Sequence, residues 1–464
     1  MKTEKLIDIG LFLILIILAA VTASVGYCNI FIYGALLTGA RSIDSILLII
    51  MSLISLLLVL CIVKCGSKAK KRVLFAAYIV IAVEVMLQTA SIFGLLPGVS
   101  IYDHVPYGRV YWTREGFCNS VMNRYGWHYP PFDLKTESKR VVLIGDSFLQ
   151  AVQVSPHRNV GVLLQERLRA KGGTGHDTEV ISTGLSGIGP AQYLELLKYA
   201  SEYLGADEVV IFITVGNDFI SSPYKIKEAV PDERIYYQVD DYIYYQVDAG
   251  GDLTLRPGGA AARDQFVRRL EANHLSLAYT FGRTAFSHSM ILQVVKSMAL
   301  NFRTRYLEGE EMPGQHTESG IRDELLNLGL ADFIFRKNPS PEATEAFTRV
   351  TSILEKSRQY ADSKGIQMRL ITIPLFPKVF YSKYESSDWS LDIGDYDFLL
   401  PEKVLIDFAE AHDIPILPMG KYMHEDKLTP DQIKELYLFE GRGHFSLKGH
   451  EYFTGPIFSR FYND

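Results

Sequence analysis

Nearly all the continuous apolar sequence of this 464-residue chain lies before residue 97. Residues 9–25, 46–63 and 73–96 are each long enough to cross a hydrocarbon layer of about 30 Å. The chain is thereby divided into a membrane part, 1–97, and a large water-soluble part. Lys64, Lys68, Lys70, Lys71 and Arg72 crowd the connection between the second and third segments, and Lys2 and Lys5 precede the first. The stretch 27–44 carries Arg41 as its one basic residue. The positive-inside rule therefore puts the N-terminus in the cytoplasm, and three crossings deliver everything after Pro97 to the far side. Treating the first segment as a signal peptide cut after Ala23 gives the same outcome, because the remaining hairpin begins and ends outside.

Glu84 and Gln88 stand four residues apart in the third segment, on one helical face. A carboxyl in hydrocarbon needs a partner. Two readings stay open: a hydrogen bond to a neighbouring helix, or contact with a membrane-protein partner. Cys28 and Cys118 are both expected outside, where a disulfide can persist, while Cys61 and Cys65 are expected at the reducing cytoplasmic end. A net charge of -6 without a polybasic domain argues against nucleic acid as a partner. No Cys/His spacing resembles a metal site. The outer part also lacks an Asn-x-Ser/Thr acceptor, which leans toward a bacterial cell envelope, with the spans in its inner membrane.

Residues 98–139 read as an aromatic, loop-rich collar, after which strands and helices alternate. Short apolar runs at 141–144, 179–182, 208–215, 368–373 and 414–417 predict strands, and 159–170, 192–203, 401–412 and 447–462 predict helices. This alternation implies a doubly wound α/β domain over 140–464, with ligands at the carboxyl ends of its strands. Residues 219–348 interrupt it as an insertion expected to cap the site. They hold a direct repeat, 235–240 and 243–248, whose alternation and Ala249-Gly250-Gly251-Asp252 turn suggest a hairpin, followed by helical patterns at 263–302.

The first strand runs into Gly145-Asp146-Ser147-Phe148, the second into a glycine-rich turn ending Leu185-Ser186-Gly187, the third into Gly216-Asn217-Asp218. Near the C-terminus stands Gly443-His444-Phe445-Ser446 with His450 beyond. A serine in a tight strand-to-helix turn, two sources of N–H donors and a late histidine are the groups acyl transfer needs. In this order the blocks resemble the SGNH (GDSL-type) hydrolase superfamily. Asn123-Arg124-Tyr125-Gly126 resembles the lead-in of membrane-anchored members that act on envelope polysaccharides. The resemblance covers roughly residues 105–464. It implies a flavodoxin-like three-layer α/β/α fold, with Ser147 as nucleophile and His444 as general base. The Ser147 and Gly187 N–H groups and the Asn217 amide would form the oxyanion hole, with no cofactor.

One position departs from the family pattern. The aspartate that orients the histidine usually stands two or three residues before it, where this chain has Arg442 and Gly441. Glu440 is one residue further away. The alternatives are Glu440 in that role, a Ser-His dyad with a backbone carbonyl orienting the ring, or a degenerate domain that only binds glycan or serves a membrane complex. The resemblance implies a membrane-tethered esterase or O-acyltransferase moving small acyl groups, acetyl above all, on or off an extracytoplasmic glycan.

Overall fold

The computed structural model describes residues 7–16, 52–60, 63–96, 99, 101–113, 115–134, 138–172, 177–219, 245–248, 252–275, 284–302, 332–374, 392–393, 395–438 and 443–463. The chain divides into two compact units, one of Met1–Gly126 with Arg268–Met312, the other of Trp127–Val267 with Pro313–Asp464.

Within the first unit, helix Ser67–Ile92 is long and apolar enough to cross a membrane. Its Phe75, Tyr78, Ile79, Val80 and Met86 side chains are exposed. The other two apolar segments are helical where described, at 7–16, 52–60 and Val63, and otherwise lie outside the described residues. Asp8 and Lys70, both near the N-terminal ends of their helices, form an ion pair at 2.7 Å. The expected collar contains a three-stranded antiparallel sheet, Ile101–Tyr102, Arg109–Trp112 and Cys118–Val121. Alternation there is too short to announce strands of two to four residues. Cys118 is buried with Sγ 3.3 Å from Ser120 Oγ, and Cys28 lies outside the described residues.

The second unit is built on five parallel strands: β1 (Lys139–Ile144), β2 (Thr178–Ser182), β3 (Glu208–Thr214), β4 (Gln367–Ile373) and β5 (Ile416–Leu417). Their spatial order is β5-β4-β3-β1-β2. This is the flavodoxin-like order, in which the chain reverses direction across the sheet between β1 and β3. Helices α1 (Ser147–Gln150), α2 (Val160–Lys171), α3 (Pro190–Tyr199), α4 (Pro341–Lys364), α5 (Leu400–Ala411) and α6 (Leu447–Tyr462) complete the unit. Helix α2 packs against α6, and α3 against α4. Crossovers of one hand that travel in opposite directions along a sheet place their helices on opposite faces.

Every residue of β3 is buried, as are the last five of β1, because helices cover both faces of a parallel sheet. Glu208, wholly buried at the amino end of β3, meets Lys139 Nζ and Arg369 Nε, each at 2.8 Å, and the Tyr462 hydroxyl. A buried carboxylate is tolerated only with such partners.

Two features of the insertion differ from expectation. Helix α4 begins at Pro341, inside the range assigned to the insertion, N-capped by the Ser340 hydroxyl on Ala343 N–H at 3.3 Å. The insertion is also divided: Arg268–Met312 joins the first unit, whereas the hairpin Tyr245–Val247/Leu253–Leu255 belongs to the second. That hairpin uses the second copy of the repeat; the first copy lies outside the described residues.

Candidate active site

The carboxyl ends of β1 and β3 meet at the point of reversal, where an α/β sheet leaves a crevice. Strand β1 stops at Ile144 because Gly145 turns the chain under tight cover: a Cβ there would lie 3.0 Å from Phe212 Cβ. Asp146 then caps the single turn α1, its carboxylate accepting from Phe148 N–H at 3.0 Å. Asp and Ser favour such cap positions because their side chains satisfy N–H groups that the first turn leaves unpaired. Ser147 is thereby the first residue of a helix that stops at Ala151, which adopts the left-handed conformation (φ 56°).

His444 reaches the same point from the segment just before α6. Leu438 N–H donates to His444 O at 2.8 Å and Gly443 N–H to Leu438 O at 2.9 Å. Ser446 caps α6 through Gly449 N–H at 3.1 Å. The result is His444 Nε2 at 2.8 Å from Ser147 Oγ. The Phe148 ring lies 4.9 Å from the imidazole, centroid to centroid, and 5.0 Å from Phe445, walling the pair on an apolar side. Gln153 Nε2 donates to Phe445 O at 3.1 Å, which ties the histidine loop to the segment after the serine.

Asn217 Nδ2 donates to Asp146 Oδ2 at 3.0 Å. The amide therefore stands beside the Gly145-Asp146-Ser147 turn, and its Nδ2 carries a second N–H besides the one given to Asp146. Burial lifts the Asp146 carboxyl from 3.8 to about 6, opposed by the N–H of Phe148 and by His444. Asp218, buried close by, is pushed well above the usual carboxylate range by desolvation and by Asp146. It accepts from the Tyr193 hydroxyl at 3.1 Å to each oxygen and from Thr214 N–H at 2.8 Å, fixing the turn that carries Asn217. Burial and the neighbouring histidines push His450 down to about 3, so it stands neutral beneath the site.

Gly187 follows the β2 turn with φ +73°, a backbone conformation that favours glycine. The turn before it is pinned by Thr183 N–H on Leu143 O at 2.9 Å and Leu185 N–H on Gly145 O at 3.1 Å. Gln150 adds a clamp that sequence reading missed: its buried Oε1 accepts from Ser186 N–H at 3.0 Å and from the Ser186 hydroxyl. Ser147, His444 and Asn217 thus converge, with Gly187 next to a clamped serine; Glu440 lies outside the described residues. No signal in one sequence marks Gln150, because a glutamine on a short helix is ordinary. Gln150→Ala is expected to lower kcat by roughly ten- to a hundredfold, somewhat less than deleting an oxyanion donor outright. KM should change little; a steady-state comparison with wild type checks it, and equal kcat would remove Gln150 from the site.

No protein-family model and no curated protein matches the chain. Solved structures do. An acetyl xylan esterase, AlAXEase, is 13% identical, with 69% of this chain and 99% of that one covered at a TM-score of 0.32. A lipase/acylhydrolase from Enterococcus faecalis is 14% identical, covering 69% and 93% at 0.31. The psychrotrophic esterase EstA from Pseudoalteromonas sp. is 10% identical, covering 70% and 96% at 0.32.

Proposed function

We propose that this chain is a membrane-anchored serine esterase or O-acyltransferase of the SGNH type, which moves small acyl groups, acetyl above all, on or off an extracytoplasmic glycan. The observation that carries the reading is the 2.8 Å contact between His444 Nε2 and Ser147 Oγ at the point where the sheet reverses. A neutral imidazole at that distance accepts the serine proton as Oγ attacks an ester carbonyl. The carbonyl oxygen takes the electron pair and becomes an oxyanion. It is met by the N–H groups of Ser147 and Gly187 and by the Asn217 amide, all aimed before the charge develops. The imidazolium then gives its proton to the departing alcohol, leaving an acyl-serine. Water completes hydrolysis, and a sugar hydroxyl completes transfer; in each case His444 takes the incoming proton and returns it to Ser147 Oγ. Either Glu440 or a backbone carbonyl orients the ring.

The membrane part of the reading rests on the exposed apolar helix Ser67–Ile92 and the basic cluster Lys68, Lys70, Lys71 and Arg72 at its start. An anchor entering from that basic side presents the catalytic unit to envelope glycans. The test is labelling of the purified chain with a serine-directed phosphonate. One adduct per chain on Ser147 is expected; no adduct would favour a domain that only binds. Reporter fusions after Lys71 and after Asp464 should report opposite sides of the membrane, and two cytoplasmic signals would remove the envelope substrate.

A further inference from the structure

Glu84 is the one acidic residue of helix Ser67–Ile92, and the protein surrounds it with donors. Its Oε1 accepts from Met290 N–H and from Gln88 Nε2, each at 2.7 Å. Its Oε2 accepts from Ile291 N–H at 2.9 Å and Ser289 Oγ at 3.3 Å. The two amides are the first of helix Met290–Phe302, whose positive end suits a carboxylate. Gln88 also donates to His288 O at 2.6 Å, and its Oε1 accepts from Arg109, whose Nη2 donates to Ser91 Oγ at 2.6 Å. Arg109 N–H donates to Ser287 Oγ at 3.0 Å. The segment from Ser287 to Ile291 is thus bolted to the third apolar helix at the level of Glu84 to Ser91.

That level fixes a depth. From Val73, the first residue after the basic cluster, to Glu84 the helix rises about 16 Å, just past the middle of a hydrocarbon layer about 30 Å thick. Backbone amides that bind Glu84 must lie at that depth too. Helix Met290–Phe302 is composed accordingly: Lys296 is the single charged residue among its thirteen. Its Met290 and Val294 pack with Leu87, Leu96, Ile101 and Tyr111. On another face, Val295 is 43% and Met298 66% exposed, matching the 70% of Met86 on the spanning helix.

We propose that helix Met290–Phe302 is seated in the lipid of the outer leaflet beside helix Ser67–Ile92, with Val295 and Met298 against acyl chains and Glu84 as its tie. The inference rests on the reading that Ser67–Ile92 crosses the membrane. Lipid is the occupant because Glu84 holds the start of this helix at hydrocarbon depth, where Val295 and Met298 are exposed and apolar, and the helix's one cation, Lys296, lies 6.0 Å over the Phe286 ring, on a stem long enough to reach headgroups.

The test uses the full chain, its cysteines replaced by serine, in phosphatidylcholine–phosphatidylglycerol liposomes. A bimane label is placed at Met298→Cys, at Val80→Cys in the spanning helix, or at Ser363→Cys on the exposed surface of α4. Acyl-chain nitroxide lipids should quench Met298 and Val80 by about half or more, while aqueous iodide quenches Ser363 alone. Iodide quenching at Met298 equal to that at Ser363 would overturn the proposal. Protection of Met298 from both quenchers would also overturn it, in favour of a protein partner on that face. Iodide quenching at Val80 would instead sink the spanning reading itself. Should the cysteine-free chain fold poorly, hydrogen exchange on the native chain in the same liposomes decides. Amides 292–302 should exchange at least tenfold faster in Glu84→Ala than in wild type, and equal rates would remove the tie.

Discussion

Ser147→Ala is expected to lower kcat on an activated acetyl ester by roughly a million-fold, and His444→Ala by a similar factor. The double variant should be no worse than either, because residues that share one proton transfer act as a unit. The geometry behind this is the 2.8 Å contact between Ser147 Oγ and His444 Nε2. Remove either partner and only the oxyanion donors and binding remain, worth about 10³–10⁴ over water. Glu440→Gln separates the two ways of orienting the ring. If Glu440 supports the imidazole, turnover falls by roughly two to four orders of magnitude with ligand binding intact. In a dyad that uses a backbone carbonyl, Glu440→Gln is nearly silent while Ser147 and His444 stay essential. Single-turnover acylation measured by stopped flow reads all four variants. Hydrolysis by Ser147→Ala at the wild-type rate would end the serine-enzyme reading.

The parts of the fold that were legible in the sequence have one-dimensional signals. Strand β3 is seven consecutive residues of which five are strongly apolar and all are buried. Helix α6 spans Leu447–Tyr462 in the fold as in the apolar pattern, and Ser446 at its start is an ordinary N-cap. Gly145-Asp146-Ser147 reads as a turn before a helix, and the order of glycine-rich blocks places three strand ends together. What the sequence did not disclose depends on pairing across the fold. Tyr193 and Asp218 are 25 positions apart, Gln150 and Ser186 are 36 apart, and neither pair has a local pattern. Helix α4 went unread because its apolar face, Ala343, Ala346, Phe347, Val350, Ile353 and Leu354, is interleaved with charged residues and begins beside a Pro-rich stretch. Glu84 stood out as costly in hydrocarbon, but only the folded chain supplies its partners, from residues 289–291. The 219–348 insertion looked like one element because sequence continuity says nothing about which compact unit a segment joins.

Gly184→Ala is expected to be among the most damaging single-methyl additions to the catalytic unit. A Cβ at this position would lie 2.2 Å from Gln150 N and 2.5 Å from Leu149 C. Both are backbone atoms, so no rotamer change relieves the clash. Neither side yields easily: the β2 turn is held by Thr183 N–H on Leu143 O and Leu185 N–H on Gly145 O. Helix α1 is held on the other side by the Asp146 cap. Overpacking of this kind costs about 1–3 kcal/mol and at times more. Because α1 carries Ser147, the same shift moves the proposed nucleophile, and a misplacement of about 1 Å costs on the order of a hundredfold in rate. Gly172→Ala is the control. Its φ of +74° with ψ -166° is a glycine conformation, and a Cβ there meets nothing within 4 Å. Alanine there should cost about 1–3 kcal/mol of backbone strain and leave kcat unchanged. Thermal denaturation and kcat measured side by side should therefore show Gly184→Ala losing both stability and turnover, and Gly172→Ala losing stability alone. A Gly184→Ala chain with the melting temperature and turnover of wild type would mean that α1 and the β2 turn do not approach as closely as the arrangement of Ser147 and Gly187 requires.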